Sequence, residues 1–173
     1  MKFLVNQPKL SISMQSNFGS CSKDKYQFQH NGIMKTAVFY FSRTGNTKRF
    51  AEAISESLKV PYFDIASFEP ASATDYDLLI IGTPVNGFKA APEVFSFVQK
   101  LPEGVNKKTI LFCTYAVAKG STFKILEQEL SKKGYTNLLA VSKRGVKPSK
   151  TDFADAISEI TKCVENSAKF TGT

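Results

Sequence analysis

The chain has 173 residues, is 42% hydrophobic and 22% charged, and carries 23 basic against 15 acidic side chains for a formal net charge of +8. That length suits one domain with a full core, and the balance is that of an ordinary globular protein. No apolar run reaches the roughly 20 residues that span a bilayer, which argues against stable membrane insertion, and the one histidine, His30, lacks the partners of hydrolytic chemistry.

Cys21, Cys113 and Cys163 are odd in number and widely spaced, so neither a disulfide framework nor a metal site is expected. A reducing, cytoplasmic compartment is the simplest setting, with Cys113 and Cys163 in the core. The basic residues are scattered, with short doublets at Lys107-Lys108, Lys132-Lys133 and Lys143-Arg144, and no basic block interleaved with aromatics argues for nucleic acid. The net charge points instead to an acidic partner or to solubility.

Residues 1–33 are rich in Ser, Gln and Asn and show neither a helical nor an alternating period, so they read as a disordered or accessory extension. The segment carries four lysines and one acid; its lack of arginine speaks against a transit peptide and its lack of an apolar run with a cleavage site against a secretory signal, with organellar targeting kept as the alternative. Met34 looks like the start a compact domain, 34–173, would use.

From there strands and helices alternate. Ala37-Val38-Phe39-Tyr40-Phe41 is a buried strand, and Phe50, Ala51, Ile54 and Leu58 mark a helix from Thr47 to about Lys59. Val60 to Ile65 reads as a short second strand, Ala66 to Tyr76 as a loop, and Asp77-Leu78-Leu79-Ile80-Ile81-Gly82 as a central strand buried on both faces. Thr83 to Ala91 forms a loop with a turn signal, and Pro92 opens a helix carrying Val94, Phe95, Val98 and Leu101. Thr109 to Thr114 is the fourth strand, Tyr115 to Gly120 a loop, and Thr122 to Lys133 a helix stopped by Gly134. Leu138 to Val141 is the fifth strand, and Phe153, Ile157, Ile160 and Val164 recur on one helical face.

Alternation of this kind predicts an α/β fold of three layers, helix, sheet, helix, around a parallel sheet. Ligands of such sheets bind at the carboxyl ends of the strands, where strand order reverses. The chemistry concentrates in the turn Ser42-Arg43-Thr44-Gly45-Asn46-Thr47, between the first strand and the first helix. Hydroxyls can donate to phosphate oxygens, Gly45 allows close backbone approach, and a helix start presents unpaired N–H groups to an anion. The absence of Gly-Lys-Ser/Thr excludes the lysine-bearing nucleotide loop.

Ser/Thr-x-Thr-Gly-x-Thr after a first strand resembles the FMN phosphate loop of the flavodoxin family, and Ile81-Gly82-Thr83-Pro84 with Gly87 and an aromatic looks like that family's second flavin loop. The resemblance covers 34–173 and implies a five-stranded parallel sheet in the order 2-1-3-4-5. It implies an FMN-binding electron-transfer protein whose phosphate lies on Ser42, Arg43, Thr44, Gly45, Asn46 and Thr47. Thr83, Pro84, Val85, Asn86, Gly87 and Phe88, with Thr114, Tyr115 and Gly120, would clasp the isoalloxazine, Phe88 and Tyr115 being the aromatics available to cover it. No catalytic acid or base is implied, and the partners would be redox proteins meeting a monomer or weak dimer. The chain lacks Trp, and its third loop lacks the acidic residue of well-known carriers; Lys89 and Lys119 fall in the flavin loops instead. Two alternatives stand beside the carrier: an oxidoreductase of the same fold acting on a quinone or porphyrinogen, and a flavin-free binding or regulatory domain.

Overall fold

Thr36–Tyr40 forms β1, five consecutive buried residues whose alternating side chains serve two different cores. Ala37 and Phe39 face one side of the sheet, and Val38 and Tyr40 the other. The computed structural model describes residues 34–145 and 152–169; the expected N-terminal extension, with Cys21 and His30, lies outside them.

The chain continues through α1 (Asn46–Leu58), β2 (Tyr62–Asp64), a 3₁₀ turn at Pro70–Asp75, β3 (Leu78–Asn86), β4 (Lys89–Ala90), α2 (Pro92–Lys100), β5 (Lys108–Tyr115), α3 (Thr122–Lys132), β6 (Thr136–Arg144) and α4 (Ala154–Lys169). Five strands pair in parallel in the order β2-β1-β3-β5-β6. Counted without β4, which pairs antiparallel with the tip of β3, this is the expected 2-1-3-4-5 order.

β3 is the middle strand, and Leu78 to Thr83 are buried on both faces. Leu79 and Ile81 join Phe39 and Leu111 beneath α2 and α3, where Val94, Phe97, Val98, Leu126 and Leu130 complete one core. Leu78 and Ile80 join Ile110 and Phe112 beneath α1 and α4. There Phe50 stacks flat on Phe153, with centroids 4.4 Å apart, tying the first helix to the last. Gly82 is the one place on β3 where Phe112 crosses over the strand, and a Cβ there would enter its ring.

Three expectations needed revision. Thr83 to Ala91 is not an open loop: β3 runs on to Asn86 and turns back through β4, with Val85 opposite Ala90 and Asn86 opposite Lys89. The two turn residues, Gly87 and Phe88, have φ of +56° and +65°, as a primed two-residue hairpin requires. The Ala66–Tyr76 loop contains the 3₁₀ turn, where Pro70 supplies a pre-set φ. The last strand extends past its apolar run to Arg144, because ladder bonds to Thr114 and Tyr115 need no apolar side chain.

Candidate functional site

Residues 41–45 turn β1 into α1. Gly45 takes φ +87°, and its N–H donates to Ser42 Oγ at 3.1 Å. Nothing lies within 4 Å of where a Cβ would stand, so the backbone rather than space demands glycine. α1 then begins at Asn46, and the N–H groups of its first turn have no intrahelical acceptors. They carry the positive end of the helix dipole.

The next two side chains turn inward. Asn46, 6% exposed, donates its amide to the carbonyl of Gly145 at 3.0 Å and to Thr44 Oγ1 at 3.4 Å. Thr47, 1% exposed, has its hydroxyl 2.8 Å from that of Thr114 at the end of β5. Because β3 lies between β1 and β5, this bond stitches the start of α1 across the central strand.

Proton counting then defines what the loop offers. A hydroxyl has one proton and two lone pairs. Ser42 and Thr44 accept from Gly45 and Asn46, which leaves their protons to donate elsewhere. Thr47 and Thr114 share one proton between them and keep a second for a third group. Asn46 Oδ1 is a buried acceptor with no partner among the described residues. Several donors, one orphaned acceptor and no carboxylate within 41–47 suit a phosphate attached to a hydroxyl-bearing chain. The residues present thus fit an FMN phosphate and its sugar alcohol. A metal ion has no comparable match: no cluster of three or more His, Cys, Asp or Glu ligands occurs among the described residues.

Arg43 turns outward. Its guanidinium pairs with Glu93 in the first turn of α2 at 2.9 Å, both side chains being about half exposed. That hydrogen bond, followed by one from the backbone, holds the Glu93 carboxyl below its ordinary pKa. Arg43 therefore braces the cradle from outside.

The second stretch is divided. Thr83 is fully buried, accepting from Ala91 N–H at 3.0 Å and donating to Pro84 O at 2.9 Å, so its hydroxyl closes the hairpin base. Pro84 and Val85 are half-buried, while Asn86, Gly87 and Phe88 are exposed at the tip. Phe88 is 57% exposed and holds a left-handed φ that costs an ordinary residue about 1 kcal/mol.

The third stretch meets the second. Ser121 N–H donates to Phe88 O at 2.9 Å, and a Cβ on Gly120, at φ +52°, would collide with that same carbonyl. Tyr115 is half-buried at the end of β5, and the carbonyl of Ala116 accepts from Arg144 Nε at 2.9 Å. The three stretches are thus joined pairwise, the first to the third by Thr47 and Thr114, the second to the third by Phe88, Gly120 and Ser121. Lys89 and Lys119 are both exposed, and Lys119 Nζ lies 5.7 Å from the Phe123 ring centroid. Beneath them Cys113 is buried, its thiol pKa pushed up to about 12 by desolvation.

Two supporting residues escaped the sequence reading. Gly145 serves through its carbonyl, which no side-chain pattern can reveal. Glu93 carried a signal, an acid in the first turn of a helix, but that pattern also occurs wherever a helix dipole is compensated.

Comparison with known proteins identifies the family and the fold. The model of the flavodoxin domain family matches residues 37–156. The chain belongs to that family. No curated protein matches it by sequence. Among solved structures, the rubredoxin oxygen:oxidoreductase of Desulfovibrio gigas superposes with a TM-score of 0.65 at 18% identity, over 79% of this chain and 35% of that one. The two-electron reduced flavodoxin of Megasphaera elsdenii gives 0.61 at 21% identity, over 78% and 98% of the two chains. A flavodoxin of Streptococcus pneumonia TIGR4 gives 0.61 at 14% identity, over 75% and 94%. At such identities the likeness speaks to the fold.

Proposed function

We propose that this protein binds FMN and carries electrons between partner proteins. The observation that carries the proposal is the donor set at the head of α1, in which Ser42, Thr44 and the Thr47–Thr114 pair hold protons toward an acceptor-rich group. Bound FMN would supply reversible electron transfer at its ring; the chain's part is to hold and tune it. Ser42, Thr44 and the first N–H groups of α1 would bind the phosphate, and Asn46 Oδ1 would accept from the sugar alcohol. The hairpin tip and residues 114–120 would flank the ring, with Phe88 and Tyr115 as its aromatic neighbours. Stacking of this kind adds about 1 kcal/mol beyond burial.

The free thiols of Cys113 and Cys163 suit a reducing compartment. An FMN titration of the full-length chain, followed by visible absorption, tests the reading. Uptake of one FMN per chain, without NAD(P)H-dependent quinone reduction by the loaded protein, is the expected result. Failure to take up FMN would leave only a flavin-free role, and steady turnover of quinone would favour the oxidoreductase.

A further inference from the structure

The charges at the carboxyl end of the sheet are sorted by side. Beyond β3, β5 and β6 the connecting stretches 83–91, 115–121 and 143–145 carry Lys89, Lys119, Lys143 and Arg144 and no acidic residue, and Lys124 extends the series into the first turn of α3. Only Lys143 among these has an ion-pair partner among the described residues, Asp155. Beyond β2 the same end carries Asp64 and Glu69, with Glu93 on the first turn of α2 neutralised by its ion pair with Arg43. The basic side is also where large apolar side chains stand in solvent. Phe88 is 57% exposed and Val117 80% exposed, and of the three such residues described only Val105 lies elsewhere.

These groups form one continuous surface. Phe88 touches Gly120 and Ser121, Lys119 precedes them, and Val117 follows the Ala116 carbonyl that Arg144 holds. An apolar centre flanked by cations, of which Lys89, Lys119 and Arg144 have no acidic partner among the described residues, is the arrangement of a steered protein interface. We infer that this rim docks a redox protein presenting an acidic face around an apolar centre, an inference that rests on the electron-carrier reading above. Charge complementarity names the sign of the partner, and Asp64 and Glu69 disfavour an acidic face on the other side, where Glu93 is held in its pair with Arg43. The exposed Phe88 and Val117 favour a protein over nucleic acid, whose phosphate backbone has no apolar surface to cover them.

The test measures association rather than electron flow, and it is run on protein without FMN and again on protein loaded with it, because the ring would lie beside Phe88, Lys89 and Lys119. Failure of flavin uptake is scored separately and leaves the docking result interpretable. Two probes of opposite charge are titrated by calorimetry against the full-length chain: cytochrome b5, an acidic haem protein, and cytochrome c, a basic one. The expected result is binding to the acidic probe alone, weakening about tenfold between about 20 mM and about 200 mM salt. Reversing the rim with Lys89→Glu, Lys119→Glu and Arg144→Glu should cost about tenfold or more in that affinity. Reversing three exposed lysines away from the rim, Lys35→Glu, Lys100→Glu and Lys162→Glu, gives the same net charge and should change it by less than about twofold. Equal losses in the two variants, no loss in either, or no binding of the acidic probe would overturn the inference. So would tighter binding of a short DNA duplex than of cytochrome b5.

Discussion

The two ends of the candidate site are built differently. At the phosphate end, side chains are folded into the core: Asn46 and Thr47 are buried and bonded to Gly145 and Thr114, residues 99 and 67 positions away. At the ring end the contacts run through backbone: the Phe88 carbonyl, the Ser121 N–H and glycines at positive φ, with the side chains of Phe88, Lys89 and Lys119 left in solvent. Preformed donors give a fixed anchor, whereas an exposed tip on a two-residue turn can adapt to a flat ring or to a partner. If FMN binds as proposed, the difference would give affinity and phosphate selectivity to the first end, and electronic tuning and recognition to the second.

The largest effect is expected from breaking the anchor. Thr47→Val leaves the Thr114 hydroxyl buried without its partner, a cost of about 1–3 kcal/mol, and removes a donor from the cradle. FMN should bind about ten- to a hundredfold more weakly by fluorescence titration, while riboflavin, which lacks the phosphate, should change by less than about threefold.

Phe88→Asn should act in the opposite sense on stability. Asn tolerates the left-handed φ better, so thermal unfolding should rise by about 2–4 °C for a gain of about 1 kcal/mol. FMN and riboflavin affinity should fall together, by about threefold to tenfold, as a stacked ring is lost. An effect on FMN alone would place Phe88 with the anchor and blur the division.

A smaller effect concerns tuning. Lys89 and Lys119 beside the ring would favour negative charge on it, so replacing both by Gln should lower the flavin midpoint potential by on the order of tens of millivolts in a spectroelectrochemical titration. An unchanged potential would leave them as docking residues alone.

A last effect, confined to alkaline pH, lies beneath both ends. Burial raises the Cys113 thiol from 9.0 to about 12, so the folded state favours the neutral thiol. Its contribution to stability is complete below pH 9 and drains away as pH climbs toward about 12. Thermal melts of Cys113→Ala should therefore lose less stability over that interval than the parent chain.

Much of this was legible in the sequence. The short continuous apolar runs at Ala37–Phe41, Leu78–Ile81 and Ile110–Cys113, alternating with helical periods, fit buried parallel strands, and the order of strands followed from the family resemblance. The Ser42–Thr47 turn stood out because hydroxyls, glycine and a helix start coincide. What stayed hidden depends on tertiary partners. Nothing in Thr83 announces that its hydroxyl closes a hairpin, nothing in Arg43 that it reaches Glu93, and nothing in Thr47 that it faces Thr114 across β3. The hairpin itself was masked because its turn uses Phe88 at a positive φ, where glycine or asparagine would have signalled it.

The division between anchor and rim rests on the phosphate being held by the stitched end. The most direct test is a calorimetric comparison of FMN and riboflavin binding to the full-length chain, with inorganic phosphate as competitor. FMN should bind about a hundredfold or more tightly than riboflavin, and phosphate should weaken FMN but not riboflavin. Equal affinities, unmoved by phosphate, would contradict it.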